Sequence, residues 1–97
     1  MNVINSNSVP QAGVVVMMFR EKVTSQQALP VIVKEATSDA NGLAYFDLST
    51  TLNADEEVFY FEAFRKNGNN YTWVSTIHPV LTIKKNTQRT TSIIVKN

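Results

Sequence analysis

The sequence predicts an all-β fold: an antiparallel, Greek-key-like β-sandwich of about seven strands, in one domain spanning residues 1–97. Three observations carry this prediction. Apolar residues recur with a period of two almost throughout, in segments rich in β-branched and aromatic side chains. No segment of helical length keeps an apolar stripe at i, i+3 and i+4, and Ser49–Glu57 has room for one helical turn at most. Tight-turn chemistry separates strands at Asp39–Gly42 and Asn67–Asn70, where Asn and Gly tolerate the positive φ of a reversal.

Along the chain, six segments read as strands: Val14–Arg20, Val31–Ser38, Leu43–Leu48, Val58–Arg65, Tyr71–His78 and Thr90–Lys96. A further short strand falls at Val80–Lys84 or Val3–Asn5, and Gln11–Gly13 and Ser25–Pro30 supply the other breaks. With no helices to carry crossovers, neighbouring strands are expected to pair antiparallel. A loop of two or four residues at Asn67–Asn70 matches the same faces, because the two registers differ by an even step. One face then carries Phe59, Phe61 and Ala63 with Thr72, Val74 and Thr76; the other carries Tyr60, Glu62 and Phe64 with Tyr71, Trp73 and Ser75. Val15, Met17 and Phe19 alternate with apolar neighbours, so their strand is either buried on both faces or an edge that pairs with another chain.

Composition narrows the function classes. The chain is 43% hydrophobic and 18% charged, a balance that supports a packed core rather than disorder. Its net charge is +1, and Arg20, Lys22, Lys34, Arg65, Lys66, Lys84, Lys85, Arg89 and Lys96 are scattered rather than striped, which argues against nucleic acid as a partner. The absence of cysteine excludes a disulfide scaffold and thiol chemistry. Met1–Asn5 lacks the features of a signal peptide, and no apolar run approaches the roughly 20 residues of a membrane helix, so no membrane insertion is expected.

Three stretches carry a family pattern. Val9-Pro10-Gln11-Ala12-Gly13-Val14-Val15-Val16 is a pre-strand P-x-A-G motif. Thr37-Ser38-Asp39-Ala40-Asn41-Gly42-Leu43-Ala44-Tyr45-Phe46-Asp47-Leu48 follows a T-D-x-x-G-x-A-x-F hairpin, with Ser38 between the Thr and the Asp. Phe59-Tyr60-Phe61-Glu62-Ala63 is a strand that ends near a Gly turn. Together, over roughly Val9–Gly68, they resemble the transthyretin-like (prealbumin-like) β-sandwiches. More narrowly, they are similar to the carboxypeptidase regulatory-like and collagen-adhesin B-type modules of bacterial surface proteins. The resemblance implies that Ala44, Phe46, Leu48, Phe59, Phe61 and Ala63 point inward. It also implies an extracellular or cell-surface setting. Its motifs are turn and core signatures, so they bear on fold more than on activity. Adhesin modules of this type sometimes form Lys–Asn isopeptide bonds beside a buried carboxylate; the residues available here are Lys34 or Lys22, Asn97 or Asn86, and Glu62. The transthyretin-related hydroxyisourate hydrolases need several histidines and a C-terminal Tyr-Arg-Gly-Ser run, whereas this chain has one histidine and ends Ser92-Ile93-Ile94-Val95-Lys96-Asn97.

Catalytic and metal chemistry find little to stand on. His78 is the only histidine, no nucleophile elbow surrounds any serine, and one histidine cannot build a multi-histidine metal site, so no cofactor and no catalytic residue is expected. Asp39–Gly42 echoes part of a calcium loop, but Leu48 stands where the closing Glu belongs, and a tight turn explains it better. Asp55-Glu56-Glu57 reads as a solvated loop, and Asn70-Tyr71-Thr72 as an exposed turn that happens to match a glycosylation pattern. The aromatic set is the closer contest. Trp73, Tyr71, Tyr60 and Phe64, with Glu62 beside them, form either a ligand-binding platform or a face covered by a loop such as Ser49–Glu57, a partner domain or a second subunit. The sequence therefore predicts a non-catalytic structural or adhesive module, monomeric or weakly self-associating, whose partner is another protein. A carbohydrate-binding module meeting a polysaccharide through the aromatic face is the alternative, and a small hydrolase the last.

Overall fold

A computed structural model describes residues 1–48, 51–87 and 90–96. Among these residues the chain is all-β, with seven strands in two sheets and no helix. The strands are β1 (Asn2–Asn5), β2 (Val14–Phe19), β3 (Ile32–Thr37), β4 (Glu56–Asn67), β5 (Asn70–Trp73), β6 (Val80–Lys84) and β7 (Ser92–Val95). The larger sheet runs β3-β2-β4-β5 and is antiparallel; β6 pairs with the first half of the long β4, on the edge whose second half holds β5.

The smaller sheet departs from the antiparallel expectation, because β1 and β7 pair in parallel, Val3 opposite Ile93. The two strands lie at opposite ends of the chain, so everything between them serves as the crossover that parallel pairing requires. Both short-strand alternatives, Val80–Lys84 and Val3–Asn5, are realised, as β6 and β1.

Leu43–Leu48 is not the strand that its alternation suggests. Leu43 bridges Asn2, and Ala44 exchanges backbone bonds with Met1, its N–H donating to the Met1 carbonyl at 3.0 Å. This antiparallel register runs off the start of β1 after Ala44, and residues 45–48 are not part of a strand. Phe46 and Leu48 nevertheless pack against the core beside buried Ala44, on the inward side that the family pattern implies.

Tyr71–His78 is likewise divided. The Val74 N–H donates to the Ala63 carbonyl of β4 at 2.9 Å, while the Val74 carbonyl accepts from Lys96 N–H at 2.9 Å. Val74 is thus the corner at which the chain leaves the larger sheet for β7, and Ser75 bridges Val95. The Ala63 N–H, deprived of a backbone partner, donates to the Ser75 hydroxyl at 3.2 Å.

The core between the sheets contains Val14, Val16 and Met18 of β2, Phe59, Phe61 and Ala63 of β4, and Val3, Ile93 and Val95 of the smaller sheet. A second cluster lies on the outer face of the larger sheet: Val15, Met17, Phe19 and Phe64, closed over by Val23 and Leu29. All six β2 residues are therefore buried, which settles that strand as central rather than an edge. The same arrangement corrects the identity of the cover. The β2–β3 connection lies over the aromatic face, whereas Leu52 of the 51–57 segment packs against the core between the sheets. No described helix is long and apolar enough to cross a membrane.

Candidate functional site

The Asn67–Asn70 hairpin closes with a two-residue loop, setting Phe64 opposite Trp73 and Lys66 opposite Tyr71. Glu62, Phe64, Trp73 and Ser75 consequently share the outer face, as the even-step argument requires. Glu62 sits at its centre, 4% exposed. A buried carboxylate needs donors, and a single oxygen of Glu62 finds several. Oε1 accepts the Ser75 hydroxyl at 2.6 Å and the Trp73 indole Nε1–H at 2.9 Å, and lies 2.7 Å from His78 Nδ1. The indole N–H is also 2.7 Å from Ser75 Oγ. The His78 and Trp73 rings meet at 5.6 Å, tilted by 57°.

Beside this network the surface opens into a cleft of about 460 Å³. Tyr60, Glu62 and Trp73 line it together with His78, Val80 and the Lys22–Val23 pair. The five aromatic-face residues therefore divide. Tyr60, Glu62 and Trp73 reach the cleft, whereas Phe64 is fully buried and Tyr71 packs under the covering loop with Lys66 Nζ 5.7 Å from its ring centroid. The loop is pinned from above by Gln26, whose Oε1 accepts the Trp73 backbone N–H at 2.9 Å.

His78 and Lys22 are cleft residues that the aromatic pattern does not reveal. Alternation counted on from Trp73 and Ser75 puts Ile77, not His78, on this face. The strand ends at Trp73, and bends at Thr76 and Ile77 ahead of Pro79 rotate His78 back to it. Lys22 lies in a loop, where no periodicity applies.

The carboxylate, histidine and serine contain the components of a catalytic triad without its order. In a triad the histidine stands between acid and nucleophile. Here Ser75 Oγ and His78 Nδ1 both address the same Glu62 oxygen, and Ser75 is itself buried. The isopeptide components are also dispersed: the Lys34 ammonium donates to the Asp47 carbonyl, and the donors at Glu62 Oε1 are Trp73, Ser75 and His78. Asn97 lies outside the described residues.

Asp55-Glu56-Glu57, which spans the start of β4 rather than a loop alone, separates into ion pairs: Asp55 with Lys85 at 3.8 Å, Glu56 with Lys84 at 4.0 Å and Glu57 with Arg20 at 3.3 Å. The Asn53 backbone N–H, helped by the Arg20 guanidinium, holds the Glu57 carboxyl below its ordinary range. At the other turn, Asp39 Oδ1 accepts the N–H groups of Asn41 and Leu43 at 2.8 and 3.0 Å, so its carboxylate caps the reversal. No protein-family model, curated protein or solved structure matches this chain.

Proposed function

We propose that the chain is a non-catalytic module, a transthyretin-like Greek-key sandwich of a bacterial cell-surface or secreted protein, that makes protein–protein contacts by strand addition at β3. The free edge of β3 is the observation that carries this reading. β3 is the outermost strand of the larger sheet, and Val31 just before it is 86% exposed. Ser38 donates its N–H to the Val14 carbonyl and accepts from Gly13 N–H, so backbone alternation turns the Thr37 and Glu35 amides outward. An unpaired strand edge of this kind is a template for an extended segment of another chain.

Charge favours a different chain over a second copy. Two-fold antiparallel self-pairing centred on Lys34 or Glu35 would set that residue opposite its own copy, like charge against like. Pro30 and the register shift between Met18 and Phe19 further restrict runaway edge association. The inward placement of Ala44, Phe46, Leu48, Phe59, Phe61 and Ala63 supports the transthyretin-like arrangement. Ser75 is buried, and His78 does not stand between it and Glu62, which supports a non-catalytic role.

Selection from a library of short random peptides, read by amide NMR, tests the proposal. Bound peptides should shift and protect the Glu35 and Thr37 amides, and Glu35→Pro, which deletes an outward donor, should abolish binding. Peptides that bind elsewhere, or that bind Glu35→Pro equally well, would refute it.

A further inference from the structure

At the cleft beside Glu62, the second ring nitrogen of His78 and the ammonium of Lys22 are polar groups without a partner among the described residues. The state of His78 follows from its neighbours. Trp73 Nε1–H and the Ser75 hydroxyl both donate into Glu62 Oε1, and a carboxylate has no proton to return. Nδ1 of His78, 2.7 Å from the same oxygen, therefore carries the hydrogen of that contact. That leaves Nε2, on a side chain 53% exposed, free to meet a ligand in the cleft.

The cleft thus offers one ring nitrogen and one cationic donor between two aromatic rings, Tyr60 and Trp73, with Val23 and Val80 as apolar wall. Its formal charge is zero, since Lys22 offsets Glu62. An anion would meet the buried carboxylate of Glu62, and a cation would meet Lys22. A ligand that suits all of these groups is uncharged, has an apolar face, and carries neighbouring groups that both donate and accept. Hydroxyls on a saturated ring meet that description, and about 460 Å³ lies within the range of roughly 300–1,000 Å³ usual for small-ligand sites.

We propose that this cleft binds a neutral sugar ring, stacked against the aromatic walls, with one hydroxyl hydrogen-bonded to His78 Nε2 and another accepting from Lys22. Phe64 and Tyr71 take no part, which separates this site from a platform spread over the whole aromatic face. The site is also independent of the β3 edge, because neither His78 nor Lys22 belongs to that strand.

The test is a titration of the protein with methyl glycosides of glucose, galactose, mannose and N-acetylglucosamine, and with the matching uronates. The Trp73 indole and His78 ring signals are read by NMR. At least one neutral glycoside should shift both signals saturably, and Lys22→Ala and His78→Ala should each weaken its affinity roughly tenfold, the cost of about one hydrogen bond. Lys22 has no structural partner to lose, so its variant reads binding without a change in the unfolding midpoint. Three results would overturn the proposal: no saturable shift with any glycoside up to its solubility limit, shifts unchanged in both variants, or a uronate binding more tightly than its neutral parent.

Discussion

At the scale of single residues, Gly42 shows how closely this chain's turns are built. Its φ is +76°, and a Cβ at that position would lie 2.7 Å from the Val3 carbonyl oxygen and 2.9 Å from Pro10 Cβ. Gly42 also supplies the carbonyl that accepts Val3 N–H at 2.7 Å, so it cannot move away from Val3 without breaking that bond. Gly42→Val should cost roughly 2–4 kcal/mol, the sum of left-handed strain and forced overpacking. Gly68 has a similar φ of +63° with nothing within 4 Å of its notional Cβ, so Gly68→Ala should cost only about 1 kcal/mol. Urea unfolding midpoints of the two variants compare them directly, and equal midpoints would show that the Gly42 approach is not tight. The positive φ of both turns was legible in the sequence, because Asn-Gly pairs announce it. The close approach at Gly42 was not, since it depends on two segments, Val3 and Pro10–Gln11, that no local pattern connects to the turn.

At the scale of elements, strand positions were readable wherever two-residue periodicity met a neighbour of matching length. β2, β3 and β4 fall within a few residues of the segments their alternation suggests, and the Asn67–Asn70 hairpin fixed which faces match. The readings that changed depend on where a partner ends. Leu43–Leu48 alternates like a strand but outruns β1, and Tyr71–His78 is one apolar run that serves two sheets with Val74 as its corner. Loops were less legible still. The 20–31 connection has no periodicity, yet Val23 and Leu29 close the outer cluster and Gln26 caps Trp73. The 51–57 segment is held instead by charge, with Asn53 N–H and Arg20 on Glu57 and Arg20 Nη2 donating to the Thr51 carbonyl at 3.0 Å. Because the folded state depresses the Glu57 carboxyl, its contribution is present above the pKa of the unfolded chain and is lost as pH falls through the lower folded value. Glu57→Gln should therefore lower stability at neutral pH, change it little at low pH, and so flatten part of the acid limb of a stability-versus-pH curve. An unaltered acid limb would mean that Asn53 and Arg20 do not hold this carboxylate.

At the scale of the whole molecule, the larger sheet is packed on both faces, by the smaller sheet on one side and by a loop on the other. That arrangement explains why β2 reads as six consecutive apolar residues and why Glu62 can be buried on the face away from the main core. It also explains why the aromatic set did not declare its role in the sequence: half of it is roofed, half lines a cleft, and the division is made by the non-periodic 20–31 connection. Parallel closure of β1 on β7 was equally hidden, since pairing between the two ends of a chain leaves no local signature. The central claim is that the larger sheet is packed on both faces and leaves β3 as an outermost strand with an unpaired side. Amide and indole hydrogen exchange, followed residue by residue by NMR, tests it most directly. The account predicts the slowest exchange in β2, a protected Trp73 indole N–H, and fast exchange at Glu35 and Thr37. A freely exchanging Trp73 indole, or Glu35 and Thr37 amides protected as well as those of β2, would contradict it.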